Sequence, residues 1–173
     1  MNKRMLLGIL LLVGARSQAQ SIVRLQDVMK EQKENSSGVM KVKGKPFTGT
    51  VVNEYANGKP QLWKEVRNGL ADGLWQEWYE NGHLRFSAYW REGKGQGEWH
   101  YYHENGAVRQ DEFYNADIPV GIFFVFYNNG QLKQKGGYLN GKKDGTHESY
   151  SESGVLVKQE TYKDGVLFNT KQF

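Results

Sequence analysis

The amino-acid sequence predicts an all-β protein: an elongated antiparallel β-meander of five 24-residue hairpin repeats, preceded by a signal peptide and a short N-terminal lead-in. Three observations support this fold class. The 173 residues include 21 glycines and 13% aromatic residues but only 3 prolines, a composition that favours strands and turns. Glycines recur at one fixed spacing. Asn-Gly steps lie between aromatic and aliphatic runs, which is the strongest short hairpin signal.

Three glycine series define the repeat, each with a spacing of 24 residues. The first series is Gly49, Gly73, Gly97, Gly121 and Gly145; the second is Gly58, Gly82, Gly106, Gly130 and Gly154; the third is Gly69, Gly93, Gly141 and Gly165, with Asp117 in the remaining position. A shared period of this length is the signature of a repeat architecture. Five repeats therefore cover residues 49–168, and the whole repeat domain is predicted at residues 46–173.

Each repeat is interpreted as one hairpin. Asn precedes the second glycine in four repeats, which predicts a two-residue type I′ turn with positive φ at both central positions. The third series then supplies the links between hairpins. Counting outward from Asn81-Gly82 predicts which residues lie opposite the first series: Gly49 opposite Val66, Gly73 opposite Trp90, Gly97 opposite Tyr114, Gly121 opposite Tyr138, and Gly145 opposite Tyr162. In this arrangement a large ring would cover a strand glycine.

Alternation along the strands predicts one continuously apolar face and one mixed face. The candidate partner-binding face comprises Trp75, Tyr79, Trp99, Phe123 and Tyr127. The same face is predicted to carry Leu84, Val108, Leu132 and Leu156. The mixed face is predicted to carry Trp78, Tyr102, Phe126 and Tyr150, together with Gln76, Arg85, His100 and Arg109. Most tryptophans thus occupy structural repeat positions.

The first 19 residues have the pattern of a secretory signal peptide. Lys3 and Arg4 precede a short apolar run from Met5 to Val13, and a small-x-small step ends at Ala19. That run is well short of the roughly 20 residues that span a bilayer, although an uncleaved anchor is the alternative. The chain has no cysteine to carry a lipid. We therefore expect a secreted or periplasmic protein with no integral membrane segment after cleavage.

The lead-in at residues 20–45 contains no aromatic residue. Ile22, Leu25, Val28 and Met29 have helical spacing, which is compatible with a short amphipathic helix or with a flexible segment. Either would lie near the first open edge of the sheet, which otherwise invites pairing.

The charge balance argues against polyanionic partners. The full chain has 23 basic and 19 acidic residues. Lys3, Arg4 and Arg16 belong to the signal segment, which contains no acid, so 20 basic and 19 acidic residues remain. A nearly neutral chain is a poor ligand for nucleic acid or an anionic membrane.

The sequence predicts no catalytic residues, no cofactor site and no metal site. His100 and His103 are three residues apart, so on a strand they point to opposite faces. His103 also occupies the position of Tyr79 and Tyr127 in other repeats, which suggests one ring replacing another. Glycines at a fixed spacing are turn glycines and not a phosphate-binding loop. The serines lack a histidine and a carboxylate at any spacing typical of a triad.

The repeat resembles a known family. Residues 73–84 and 97–108, followed by links such as Tyr138 to Gly145, resemble MORN repeats, in particular the bacterial variant found in proteins labelled YwqK-family antitoxins of toxin–antitoxin systems. The resemblance covers residues 49–168 and implies an elongated antiparallel sheet that serves interaction or assembly. The last repeat departs from the pattern at His147, Ser149, Ser151 and Ser153, as a terminal capping repeat would.

Together these features predict an exported, non-catalytic binding or scaffold protein. Its partner would be an unidentified protein or a component of the cell envelope, and self-association is left open. One alternative is carbohydrate or cell-wall recognition, because the stretch WHYYHENGAV is also similar to choline-binding cell-wall repeats. Another is an antitoxin-like inhibitor, which would require the chain to stay inside the cell.

Overall fold

A computed structural model describes residues 21–32 and 39–173, and within these ranges the chain is almost entirely β-structure. The predicted signal peptide at residues 1–19 lies outside the described residues. The elements in chain order are β1 Ile22–Arg24, α1 Leu25–Gln32, β2 Lys41–Val42, β3 Lys45–Pro46, β4 Gly49–Glu54, β5 Pro60–Arg67, β6 Leu70–Trp78, β7 Leu84–Arg91, β8 Lys94–Tyr102, β9 Val108–Asn115, β10 Ile118–Phe126, β11 Leu132–Leu139, β12 Lys142–Tyr150, β13 Leu156–Lys163 and β14 Val166–Gln172.

Twelve strands form a single sheet in which β4 to β14 follow one another in chain order, each antiparallel to the next. The predicted β-meander with one hairpin per repeat is therefore confirmed. Strand β1 pairs in parallel with β4 and lies at the N-terminal edge of this sheet. Strands β2 and β3 form a separate small hairpin.

The type I′ geometry predicted for the Asn-Gly hairpin turns is wrong. In the Asn-Gly hairpin turns only the glycine has positive φ, for example 96° at Gly82, and the Gly82 amide donates to the Tyr79 carbonyl at 2.9 Å. This is a type I turn that ends in a left-handed glycine. Positive φ at two successive residues occurs in the links instead, as at Asn68 and Gly69 (50° and 79°). Asp117, which stands where the other links have glycine, also has a left-handed φ, of 69°.

The predicted strand register is confirmed for all five pairs of the first glycine series, including Gly73 opposite Trp90. Close to the turn it is wrong. Trp78 pairs with Leu84, where the count from a two-residue turn had placed Tyr79. A bulge between Glu77 and Trp78 adds one residue to the second strand and restores the predicted register.

The prediction that the ring on the opposite strand covers these glycines is also wrong. A Cβ added at Gly97 would meet no atom within 4 Å, although Tyr114 is its strand partner. Gly97 is required because its φ is 67°, a left-handed value that a side chain disfavours. Rings do lie close to other positions: the Trp99 ring lies on Gly95 and the His147 ring on Gly136, while Gly49 of the first series is approached by the Phe47 ring and not by its strand partner Val66.

A small hydrophobic core closes the N-terminal end of the sheet. Helix α1 places Val28, which is 1% exposed, against Phe47, Val51, Leu62 and Val66. The chain thus has a helix within the segment for which the sequence left helix and flexible lead-in open. Strand β1 pairs with Thr50 to Val52 on the outer edge of β4, so a short three-residue strand forms this edge of the sheet.

Candidate binding faces of the repeat sheet

The face of the sheet that carries Trp75 and Trp99, called here the aromatic face, holds two runs of contacting rings. In the first run Trp75, Trp90, Trp99 and Tyr114 follow one another with centroid separations of 5.3, 5.2 and 4.3 Å. In the second, Phe123, Tyr138, His147 and Tyr162 follow with separations of 5.4, 6.3 and 4.8 Å. Cross-strand contacts of this kind stabilise a sheet that has no second layer.

Most of these rings are half-buried, because each is covered on its sides by its neighbours and remains open above. His147 is the most deeply placed, with 6% of its surface exposed. Burial lowers the pKa of His147, and its Nε2 donates to the Gly137 carbonyl at 3.0 Å. The ring is therefore a neutral member of the aromatic run.

The aromatic face is covered at its N-terminal end by the chain itself. Val51 pairs with Lys64, and Lys64 pairs with Trp75, so the core under helix α1 lies on this face. Trp75 packs against that core, and the Lys64 ammonium lies 3.6 Å from the centroid of the Trp75 ring. Burial lowers the pKa of Lys64 to about 8, against the opposing effect of Glu77.

Trp75, Trp99 and Phe123 lie on one face of the sheet, as the sequence predicted. Tyr79 and Tyr127 instead form hydrogen bonds to the next repeat. The Tyr79 hydroxyl donates to the Tyr102 carbonyl at 2.8 Å, and the Tyr127 hydroxyl donates to the Tyr150 carbonyl at 2.8 Å. Each bond joins one repeat to the next. His103 Nε2 makes the equivalent bond to the Phe126 carbonyl at 3.0 Å, which confirms the replacement of one ring by another.

The turn asparagines connect repeats in the same way. The Asn81 side chain accepts from the His83 amide at 2.9 Å and donates to the Glu104 carbonyl at 2.8 Å. Equivalent bonds from the other turn asparagines recur at the same period. In the last repeat, Ser151 and Ser153 bond to each other within their own turn, at 2.9 Å.

The sequence placed several residues on the wrong face because it did not foresee the bulges. Leu84 is the strand partner of Trp78, and the other three aliphatic residues of this series are likewise partners of Tyr102, Phe126 and Tyr150, so all lie on the mixed face. Arg85 and Arg109 lie instead on the aromatic face. Arg85 is 3.8 Å from Glu77, and the Arg109 guanidinium is 5.3 Å from the Tyr101 ring centroid.

The mixed face carries three exposed large apolar side chains: Tyr89 at 52%, Phe113 at 41% and Ile122 at 57%. Between them run polar residues from adjacent strands, with Ser87 opposite His100 and His100 opposite Asp111. A shallow depression lies next to them on β10 to β12, where two glycines have no side chain to fill the surface. It is lined by Ile122, Phe124, Lys135, Gly136, Gly137, Asp144, Thr146 and Glu148.

An ion pair lies on the polar side of that depression. Lys135 Nζ lies 2.9 Å from Glu148 Oε2. Hydrogen bonds from Lys135 and Tyr150 hold the pKa of Glu148 well below its usual range, at about 2. The carboxylate is therefore ionised at any physiological pH, and it positions neighbouring side chains.

Sequence reasoning missed two parts of this arrangement. Trp90, Tyr114, Tyr138 and Tyr162 were recognised as partners of glycines but not as members of the aromatic runs. Their strand partners already placed them on the face of Trp75, so the signal was available. The contact of the Lys64 ammonium with the Trp75 ring was also missed, because it depends on side-chain conformation and not on the repeat spacing.

The architecture defines a class of protein: a single-layer sheet of tandem β-hairpins with aromatic rings stacked along one face. The family described as MORN repeat variant matches the chain at residues 71–92, 95–116, 119–140 and 143–164, together about half of its length. The chain therefore belongs to this family, whose repeats are generally associated with binding and scaffolding. No curated protein is similar enough in sequence to count as a relative. In the part of the chain that the structure describes, no helix is both long and apolar enough to cross a bilayer.

Proposed function

We propose that this chain is an exported, non-catalytic binding or scaffold protein that holds a protein partner on its aromatic face. The observation that carries this proposal is helix α1. The helix lies on the aromatic face of β4 and β5 and buries Val28 and Val51 there almost completely. The chain thus already uses this face to hold an amphipathic element.

Beyond the helix the same face continues as the two ring runs, and no described residue forms a second layer over it. Contiguous half-exposed rings on one surface are typical of interaction sites, and Trp and Tyr are the residues that most often anchor partners. An apolar helix or loop of a partner would extend the layer that α1 begins.

The test is quantitative capture from an envelope extract of the source cell, read by mass spectrometry. The bait carrying Trp75→Ala and Trp99→Ala is compared with one carrying Tyr89→Ala and Phe113→Ala on the mixed face. Thermal melts first establish that both variants fold. The proposal requires a partner that the first variant loses and the second retains. Loss with the second variant alone would move the site to the mixed face.

Export is tested separately, through the mass of the protein recovered from each cell fraction. The signal pattern in residues 1–19 supports export, so we expect the chain outside the cytoplasm and lacking those residues. A full-length chain in the cytoplasm would favour the antitoxin-like alternative, which needs its target inside the cell. That outcome would leave the binding face unaffected.

A second candidate function is carbohydrate binding on the mixed face. Exposed rings with adjacent hydrogen-bonding groups suit a sugar, and here Tyr89 and Phe113 flank Glu98, His100 and Asp111. Co-sedimentation with purified cell-wall polysaccharide tests it. Retention lost on Tyr89→Ala with Phe113→Ala, and kept on Trp75→Ala with Trp99→Ala, would favour this function over the first.

A further inference from the structure

Three side chains on the mixed face form an arrangement that neither the repeat pattern nor partner binding on the aromatic face requires. His100 on β8 lies between two carboxylates. Its Nδ1 is 2.7 Å from Asp111 Oδ1 on β9, and its Nε2 is 3.3 Å from Glu98 Oε2, two residues earlier on β8. We propose that His100 Nε2 and Glu98 Oε2 bind a divalent transition-metal ion such as Zn²⁺, with Asp111 as the positioning residue.

The first argument concerns the protons on the ring. A neutral imidazole carries one N–H, and the other nitrogen is an acceptor. The shorter contact assigns the N–H to Nδ1, which donates to Asp111. In the neutral ring the Nε2 lone pair is then 3.3 Å from Glu98 Oε2, so two acceptors are neighbours unless a proton or a metal ion lies between them. A cation placed between these two atoms removes the conflict.

The second argument is the distance itself. Zinc lies about 2.0–2.1 Å from imidazole nitrogen and about 2.0–2.2 Å from carboxylate oxygen, with tetrahedral angles between its ligands. Two such ligands are therefore about 3.4 Å apart. The separation between His100 Nε2 and Glu98 Oε2, 3.3 Å, is that of a zinc chelate. Residues i and i+2 share a face of a strand, which permits this bite.

The third argument is the role of Asp111. Metal-binding histidines almost always donate their second N–H to a carboxylate or carbonyl, which fixes the tautomer and the ring orientation. Asp111 supplies that bond from the neighbouring strand. Among residues 21–32 and 39–173, no three His, Cys, Asp or Glu side chains are placed to ligate one ion. Water would complete the coordination on the solvent side, where the Glu98 side chain is 60% exposed.

The other histidines provide internal controls. His103 and His147 use Nε2 to donate to carbonyl groups, so these nitrogens are not free to bind a metal. His83 is the matched comparison. Its Nδ1 donates to the Glu104 carbonyl at 2.7 Å, and it differs from His100 in having no ion pair with any carboxylate of the described residues. His83 therefore represents a single-donor site on the same sheet.

The experiment titrates the purified protein with ZnSO₄ at pH 7.5 and follows the four histidine rings by ¹H–¹³C correlation NMR, with MgSO₄ as a second titrant. We expect the His100 ring to respond at a lower Zn²⁺ concentration than the His83 ring, and neither to respond to Mg²⁺. Equal midpoints for the two rings would overturn the proposal. So would a His100 ring that is unaffected by Zn²⁺, which would mean that a proton bridges the carboxylates.

Two variants separate the ligand from the positioning residue. Glu98→Gln should raise the His100 midpoint about tenfold or more, because even outer-shell partners contribute that much. Asp111→Asn should weaken binding about 10–100-fold while leaving Glu98 in place. His83→Gln is the control and should leave the His100 midpoint unchanged. A ¹H–¹⁵N spectrum of each variant establishes that the sheet is intact, and unchanged midpoints in both Glu98→Gln and Asp111→Asn would overturn the assignment.

Discussion

The two ends of the aromatic face are built from the same sheet but stabilised differently. Over β4 to β6, helix α1 and the β2–β3 hairpin form a second layer, and Val51 and Val66 are buried to 0% and 3% exposure. Over β8 to β13 the rings cover one another and stay half-exposed. The covered end resembles an ordinary two-layer core, whereas the repeats depend on nearest-neighbour contacts, as repeat proteins do.

The largest effect should come from breaking the covered end. Val28→Asp places a charge among apolar side chains with no partner, which should lower the free energy of unfolding by about 3–5 kcal/mol. Met29, the next residue of the helix, is 47% exposed, so Met29→Asp should change it by about 0.5 kcal/mol or less. Urea denaturation of both variants measures the difference. Equal losses would mean that the helix does not dock as described.

A second prediction concerns two glycines of β8 that are kept for different reasons. Gly95→Ala pushes a methyl group into the Trp99 ring and should cost about 1–3 kcal/mol through overpacking. Gly97→Ala meets no neighbour but forces a side chain to a φ of 67°, which costs about 1–2 kcal/mol.

The two variants are distinguished by near-ultraviolet circular dichroism at the tryptophan bands. Gly95→Ala should change those bands because Trp99 must move, and Gly97→Ala should leave them as in the wild type. A change of similar size in both variants would argue against a ring seated on Gly95.

The two glycines also illustrate that the fold could be predicted from the sequence only in part. The fixed spacing and the Asn-Gly steps were sufficient to predict the strand order and the pairing of Gly73 with Trp90. The length of each hairpin fixes which residues lie opposite each other away from the turn. They were not sufficient for the faces near the turn. A type I turn with a bulge shifts Leu84 and Arg85 by one residue, and one residue is enough to exchange the faces.

The candidate sites, too, could be predicted from the sequence only in part. Trp75, Trp99 and Phe123 could be assigned to one face from alternation alone, since they lie in the regular middle of their strands. The contact of Lys64 with the Trp75 ring and the bond from His100 to Asp111 both depend on side-chain rotamers. Neither of these leaves a periodic trace in the sequence.

A third prediction concerns the bonds that join one uncovered repeat to the next. Tyr79→Phe removes the hydroxyl that donates to the Tyr102 carbonyl and should cost about 0.5–1.5 kcal/mol. His103→Tyr restores the residue usual at this position and should be nearly neutral. Thermal melts of the two variants test whether the repeats depend on this contact; a stable Tyr79→Phe would assign the inter-repeat stability to the aromatic runs alone.

The last effect is a pH dependence that Lys64 contributes at the covered end. Burial holds the pKa of Lys64 at about 8 in the folded chain, below its ordinary value of 10.5, which is expected when the chain unfolds. Between these values the unfolded state binds more protons, so the free energy of unfolding rises as the pH increases from about 8 toward 10. Glu77 opposes the desolvation and limits the size of the rise.

Lys64→Met keeps a long apolar side chain against the Trp75 ring and removes the titration. Urea denaturation at pH 7.5, 8.5 and 9.5 should therefore give a smaller rise for the variant than for the wild type. Because tyrosines titrate alike in both proteins, the difference between the two curves isolates Lys64. Parallel curves would show that the ammonium is solvated, and hence that Lys64 is not held against the Trp75 ring.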